Sequence, residues 1–252
     1  MRSRPAGSRR LGGDRGLTVE LHVLGGFRLA HPDGPVALSA GTQRLVALLA
    51  IRARPLRRSY VAGVLWAEAE EKRATASLRS ALWRLRRPGV PLVDASTVEV
   101  SLGDGVQVDY RDALDAAHRV VEGRLDTPGA ELDRFPFHLL TEDLLPDWYE
   151  DWVTAEREYF RQLRLHALEA LCLVFARAGR FGRAVAAGLA AVQAEPLRES
   201  AHRALMRAYA AEGNRAEVVR QYRWYRRILH EELGGRPSPE MEDLVRSLDE
   251  AR

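Results

Sequence analysis

Arg73, Ser77, Ser80, Arg84 and Arg87 have the types and spacing to do chemistry, and that chemistry is recognition of a polyanion. They lie within Glu71–Arg87, EKRATASLRSALWRLRR. At about 100° per residue, Leu78, Ala81, Leu82 and Leu85 form one apolar stripe, and Arg73, Ala76, Ser80, Trp83, Arg84 and Arg87 form the opposite face. The stripe requires a protein core. The other face is small and basic with few negative charges, which suits a groove lined with phosphates. Its alternative is the solvated face of an ordinary amphipathic helix. Arg73, Ser77 and Ser80, nearer the helix start, are placed to approach base edges, and Arg84 and Arg87 to approach phosphates. Trp83 shares this face. It is expected to pack beneath a following hairpin, with sugar or a thymine methyl as its other possible contact. Thr97 in that hairpin and Arg44 on an earlier helix are further DNA-contact candidates.

No catalytic or metal-binding constellation accompanies these residues. The seven histidines are scattered, with no HExxH and no cysteine pair. The only lysine, Lys72, lacks the glycines of a phosphate-binding loop. Asp143, Asp147, Glu150 and Asp151 are close in sequence, but Leu144, Leu145, Trp148 and Trp152 interleave with them. That pattern reads as an aromatic anchor packing a helical domain on the front domain, with a small-molecule pocket near Phe135–Trp152 as the alternative. Cys172 sits between Leu171 and Leu173 and reads as a buried apolar residue. A single cysteine excludes an internal disulfide framework and fits a reducing compartment. The expectation is a protein that is not an enzyme and needs no cofactor or metal.

Several elements must position the basic helix. Leu17, Val19, Leu21 and Val23 alternate with polar residues as a strand, and Gly25-Gly26 ends it. Phe27–Ala30 and Val36–Leu38 read as two more strands around Pro32-Asp33-Gly34. Ser39 is a plausible cap for a helix over 41–54 with Leu45, Leu48 and Leu49 inward. Ser59 caps a second, shorter helix to about Ala67, burying Val61, Val64, Leu65 and Trp66. An acidic loop, Glu68-Ala69-Glu70-Glu71, leads into the basic helix. After Pro88-Gly89 come Leu92-Val93 and a turn at Ala95-Ser96, and then Val98–Leu102 and Val106–Val108 flank Gly103-Asp104-Gly105, a hairpin signal. The order of sheet, two helices, basic helix and hairpin is the plan of a winged helix-turn-helix.

Charge divides the chain in the same place. Residues 1–110 carry 17 Lys+Arg against 10 Asp+Glu, and residues 111–252 carry 21 against 25. A basic front and an acidic back put polyanion contact in front. Residues 1–16 are basic and Gly-rich without the apolar core of a signal peptide, and read as a disordered arm. Charged residues interrupt every apolar run short of a bilayer span, so no membrane partner is expected. The organisation is therefore an arm at 1–16, a DNA-binding domain at 17–110 and a helical domain at 111–252.

The back half repeats at an offset of 34 residues. Leu163, Arg164, Ala167, Ala170, Leu171, Ala176 and Gly179 match Leu197, Arg198, Ala201, Ala204, Leu205, Ala210 and Gly213. In each copy the glycine ends one helix and a second follows, over 182–193 and 215–232. Stacked helix pairs of this length are tetratricopeptide-like. A thirteen-residue helix over 112–124 precedes them, with Leu114, Ala117, His118 and Val121 on one side.

The leading sheet makes the front half resemble the OmpR-type winged helix. The two halves together resemble the SARP/AfsR-type regulators over roughly residues 18–250. The carrying stretches are LLPDWYEDWVTAERE (144–158), RQLRLHALEAL (161–171), AEPLRESAHRALMRAYAAEGNRAEVVRQY (194–222), ELGGRPSPEM (232–241) and, in front, ATASLRSALWRLRR (74–87). The resemblance implies a mostly α fold with a small β part. An N-terminal OmpR-like winged helix-turn-helix is followed by an all-α bacterial transcriptional activation domain of tetratricopeptide-like repeats. It further implies a cytoplasmic, nucleoid-associated activator of a secondary-metabolite gene cluster. Such an activator binds double-stranded DNA at direct repeats, self-associates there, and contacts RNA polymerase or its sigma factor. Glu68, Glu70 and Glu71 are the polymerase-contact candidates, with a solvated charge run as their other reading. Ending at Arg252, the chain is similar to the short members of the group. Many members have Asn or Gln in the middle of the third helix, where this chain has Leu78-Arg79-Ser80-Ala81-Leu82-Trp83, so base preference does not transfer. A helical-repeat scaffold and a ligand-responsive regulator are the alternatives.

Overall fold

The computed structural model describes residues 19–86, 92–125 and 129–250. The expected arm at 1–16, Leu17 at the head of the first strand, and Arg87 lie outside them. The described chain falls into two units. The first takes in the residues up to Leu21 and Arg28–Gln107, and the second His22–Phe27 and the chain from Val108 onward.

In the first unit, β1 (Val19–His22) buries Val19 and Leu21 and turns Glu20 outward, the period-2 pattern of a half-buried strand. β2 (Arg28–His31) returns through a two-residue turn into β3 (Gly34–Pro35), with Ala30 opposite Pro35 and His31 opposite Gly34. The third strand is thus two residues earlier and shorter than expected at 36–38, although Val36 N–H still donates to Leu29 C=O at 2.9 Å. Helix α1 (Ala40–Arg52) buries the whole run Leu45–Ile51. Pro55 follows it, and then comes a strand that two residues are too few to announce by alternation: β4 (Leu56–Arg57). Helix α2 (Arg58–Leu65) therefore begins at Arg58 with no side-chain cap from Ser59. It buries Val61, Ala62 and Leu65, while Val64 and Trp66 are only half-buried. α3 spans Glu71–Leu85.

β5 (Val93–Ala95), β6 (Glu99–Leu102) and β7 (Val106–Val108) complete this part, but not as the hairpin expected around Gly103-Asp104-Gly105. The strand orders are β3-β2-β1-β7 in one sheet and β4-β6-β5 in the other. β6 is hydrogen-bonded on both edges, by β4 and β5, so no edge is left for β7. The Gly-Asp-Gly turn instead passes the chain from one sheet to the other. The wing is the β5–β6 hairpin.

The second unit is helical. α4 (Asp109–Val121) buries Tyr110, Ala113, Ala116, Ala117 and Val120. The expected face of Leu114, Ala117, His118 and Val121 is rotated, and Val121 is exposed. Small alanines let α4 lie close to the long α6 (Asp151–Arg177), where the Tyr110 ring meets Phe160 edge-on at 5.2 Å and its hydroxyl donates to Glu156 Oε1 at 2.7 Å. Between them come α5 (Ala130–Arg134) and one 3-10 turn (Phe137–Leu140).

The repeat is realised atom for atom at its caps. α6 is followed by α7 (Phe181–Ala194), and α8 (Glu199–Glu212) by α9 (Arg215–Leu233). Gly179 N–H donates to Ala176 C=O at 3.0 Å and Arg180 N–H to Phe175 C=O at 2.8 Å. Thirty-four residues on, Gly213 N–H donates to Ala210 C=O at 3.0 Å and Asn214 N–H to Tyr209 C=O at 2.8 Å. Both glycines are left-handed, at φ 70° and 85°, as this C-terminal motif requires. α10 (Pro239–Glu250) closes the array, placing Met241 on Met206, Val218, Tyr225 and Leu229.

Candidate nucleic-acid interface

Helix α3 is held from three sides within the first unit, by α2, α1 and β5. Ala74, Leu78, Ala81, Leu82 and Leu85 are buried, which is the expected stripe with Ala74 added. The helix starts where Glu70 C=O accepts Arg73 N–H at 2.8 Å and Ala74 N–H at 2.9 Å. Glu68 and Glu70 are exposed in the preceding loop, but Glu71 is not part of it. It is the exposed first residue of α3, where a carboxylate is favoured by the N-terminal end of the helix dipole.

The outward face carries Lys72, Arg73, Thr75, Arg79, Ser80, Trp83, Arg84 and Arg86, all exposed. Among the described residues, Lys72, Arg73, Arg79 and Arg86 have no carboxylate partner. Four arginines of the helical unit are in a different condition. Arg161 bonds Glu158 and Glu195, Arg164 bonds Asp143, Arg180 bonds Asp133, and Arg198 bonds Glu169. Positive charge at Lys72, Arg73, Arg79 and Arg86 on α3 is thus not neutralised by carboxylates among the described residues. Ser80 Oγ donates to Ala76 C=O at 3.0 Å and keeps its lone pairs outward. Arg84 Nη1 lies 3.5 Å from Ser39 Oγ, at the start of α1.

The other candidates are placed unequally. Ser77 is half-buried. Arg44 is half-buried on α1 and already engaged within the protein. Lys72 and Arg79 were not among the expected contacts, although the helical wheel holds the signal. At about 100° per residue they lie about as near the middle of the outward face as Arg73.

Trp83 overturns its expected packing beneath the wing: it is 74% exposed. The wing leaves it open because Leu82 and Leu85, on either side of it in sequence, fill the core side of the helix.

Thr97 is exposed at the tip of the wing, beside Val98. The tip is built by Ser96, whose Oγ accepts Val98 N–H at 3.1 Å and Glu99 N–H at 2.9 Å. Arg58, the first residue of α2, fixes it further: its N–H donates to Val98 C=O at 2.9 Å and its Nη1 to Ser96 C=O at 3.0 Å. The wing tip and α3 are therefore both positioned by one short helix.

In the acidic segment of the second unit, Asp147 and Asp151 are exposed. Asp143 is bonded to the buried Arg164, whose burial pulls the guanidinium below its ordinary range. Trp148 stacks on Phe27 at 5.9 Å and meets Trp152 edge-on at 6.3 Å. Arg157 donates to the carbonyls of Leu144, Leu145 and Trp148 and fixes the bend at Leu145, whose φ is 42°. Cys172 is fully buried, and burial pushes its thiol up to about 12. No His/Cys/Asp/Glu group among the described residues could hold a metal ion. No helix among them is long and apolar enough to cross a membrane.

Residues 111–248 match the bacterial transcriptional activator domain. Regulatory protein AfsR of Streptomyces coelicolor is 28% identical over 238 residues, covering 91% of this chain and 24% of that protein. Regulatory protein AfsR of Streptomyces griseus is 29% identical over 235 residues, covering 88% and 24%. The chain thus spans about a quarter of the length of the curated relatives it matches. Among solved structures, Mycobacterium tuberculosis EmbR in complex with a low-affinity phosphopeptide shares the fold, with a TM-score of 0.68 at 19% identity over 94% of this chain and 66% of that one.

Proposed function

From the premise that this chain belongs to the SARP/AfsR-type family of transcriptional regulators, we propose that it is a sequence-specific DNA-binding activator. Its domains divide as a winged helix-turn-helix at 17–110 and an activation domain at 111–252. The observation that carries the reading is the α3 face. Its cations are exposed and lack carboxylate partners among the described residues, on a helix held between two others and a wing. Such a helix enters the major groove of double-stranded DNA, with its hairpin against the backbone. Arg73 and Ser80 then read base edges, and Arg79 lies near enough to the centre of the face to join them. Lys72 and Arg84 take phosphates, and Thr97 takes backbone from the wing tip.

The exposed Glu68, Glu70 and Glu71 offer an acidic contact for RNA polymerase or its sigma factor. Tandem copies on direct repeats near promoters of a secondary-metabolite cluster, such as an antibiotic pathway, complete the proposal, with the protein acting in the cytoplasm on the nucleoid. Genome-wide footprinting tests it. The expected result is a short repeated motif spaced by whole turns upstream of a biosynthetic operon. Footprints scattered without a motif would support the helical-repeat scaffold reading and overturn this one.

A further inference from the structure

Among the described residues of the first unit, the most exposed large apolar side chain is Trp83, at 74%. No ring stacking, cation–π contact or side-chain hydrogen bond occupies its indole among the described residues. A tryptophan in water without a partner is uncommon in a folded domain, where large apolar side chains are buried or reserved for an interface. Its place on the helix defines the interface. Buried Ala74, Leu78, Ala81, Leu82 and Leu85 define the inward direction, and at about 100° per residue Trp83 lies within one residue step of the opposite pole, beside Ala76. Arg84 flanks that centre on one side, and Arg86 on the other. Side chains at the flanks of a groove-bound helix meet sugar and phosphate, and those at the centre meet base edges. Ala76, one helical repeat before Trp83, is too small to hold the backbone away from the groove floor.

We infer that Trp83 is a specificity-determining residue that packs its indole against the C5-methyl group of a thymine in the major groove. This rests on the DNA-binding reading above. The thymine methyl is the apolar group displayed on the major-groove edges, and discrimination there comes from apolar contact. The indole has one N–H donor and no acceptor, so it cannot make the bidentate hydrogen bonds by which Arg or Asn selects guanine or adenine. The structure therefore assigns opposite tasks to neighbouring positions. Cations at the flanks supply affinity on any sequence, and the ring at the centre prefers thymine over cytosine.

The test uses the full chain and a duplex obtained by selecting from random sequence. Each thymine of that duplex is replaced in turn by uracil, which removes only the methyl group and leaves base pairing intact. For the unaltered chain, uracil at one or two thymines weakens binding about five- to tenfold, with the salt dependence unchanged. For Trp83→Ala the same replacements have no effect, and selection no longer enriches thymine there. Trp83→Phe retains part of the uracil sensitivity. Uniform tolerance of uracil by the unaltered chain overturns the inference, including the case in which Trp83→Ala weakens all duplexes equally, which marks a sugar contact. DNA binding unchanged in Trp83→Ala together with loss of a protein partner also overturns it. Failure of the DNA-binding reading itself looks different: no duplex is enriched by the unaltered chain.

Discussion

Arg84 holds its guanidinium on the exposed side of α3, with Nη1 3.5 Å from Ser39 Oγ. A contact that long contributes little, so the charge is available to a phosphate. Arg84→Ala is expected to weaken binding by a similar factor on every duplex and to flatten the plot of log affinity against log salt by about one unit. A loss confined to one base position, with the slope unchanged, would assign Arg84 to base reading instead. Ser80 contrasts with it. Its hydroxyl proton is used within the helix, by Ala76 C=O, so only lone pairs face outward, and they accept from the amino groups of adenine or cytosine. Ser80→Ala is expected to change the preferred sequence in a random-site selection more than the affinity for non-specific DNA.

At the scale of elements, the 34-residue repeat makes a paired prediction. Gly179 and Gly213 occupy the same cap at φ 70° and 85°. An added Cβ at either meets nothing within 4 Å. The cost of Gly179→Ala or Gly213→Ala is then the left-handed backbone alone, about 1 kcal/mol each. Urea unfolding should show two nearly equal losses. Gly188 differs: a Cβ there would lie 3.0 Å from Cys172 Sγ and from Leu205 Cδ1, so alanine forces repacking of α7 against its neighbours.

His202 on α8 supplies a pH dependence. Its Nε2 lies 2.8 Å from Pro196 C=O and its Nδ1 2.8 Å from the Gln221 amide nitrogen, and its ring lies 5.2 Å from that of Trp224 and 4.4 Å from that of Tyr225. Burial lowers its pKa, against smaller upward pulls from Pro196 and Glu199. With the folded value depressed, the unfolded chain binds more protons than the native chain below about pH 6.5. Stability is complete above that pH and is lost as pH falls. His202→Gln is expected to show a shallower decline of unfolding free energy between about pH 7 and 5. An unchanged slope would remove His202 from the account of acid sensitivity.

For the whole molecule, legibility in the sequence followed the length of each signal. The basic helix was readable because fifteen residues of α3 carry one apolar stripe, and the repeat because two glycines and their neighbours recur at one offset. β4 was not readable, since its two residues carry no period. The wing was misplaced because Asp-Gly marks a tight turn without stating which strands pair, and partnership depended on β6 already having both edges filled. The face of α4 was missed because its buried residues are mostly alanines, whose burial is set by the close approach of α6. Trp83 departs from burial, the normal fate of tryptophan, because Ala74, Leu78, Ala81, Leu82 and Leu85 already fill the inward side of α3.

The α3 face is proposed to bind DNA by sequence. Equilibrium competition measures it most directly, with the full chain bound to a labelled selected duplex and displaced by the same duplex or a scrambled one. The comparison is with a chain carrying Arg73→Ala, Arg79→Ala and Arg84→Ala together, its folding checked by thermal unfolding. The expected result is at least a hundredfold preference for the selected duplex in the unaltered chain. In the triple variant that preference collapses, with the fold retained. Equal displacement by both duplexes, or a triple variant that binds and discriminates as well as the unaltered chain, would contradict it.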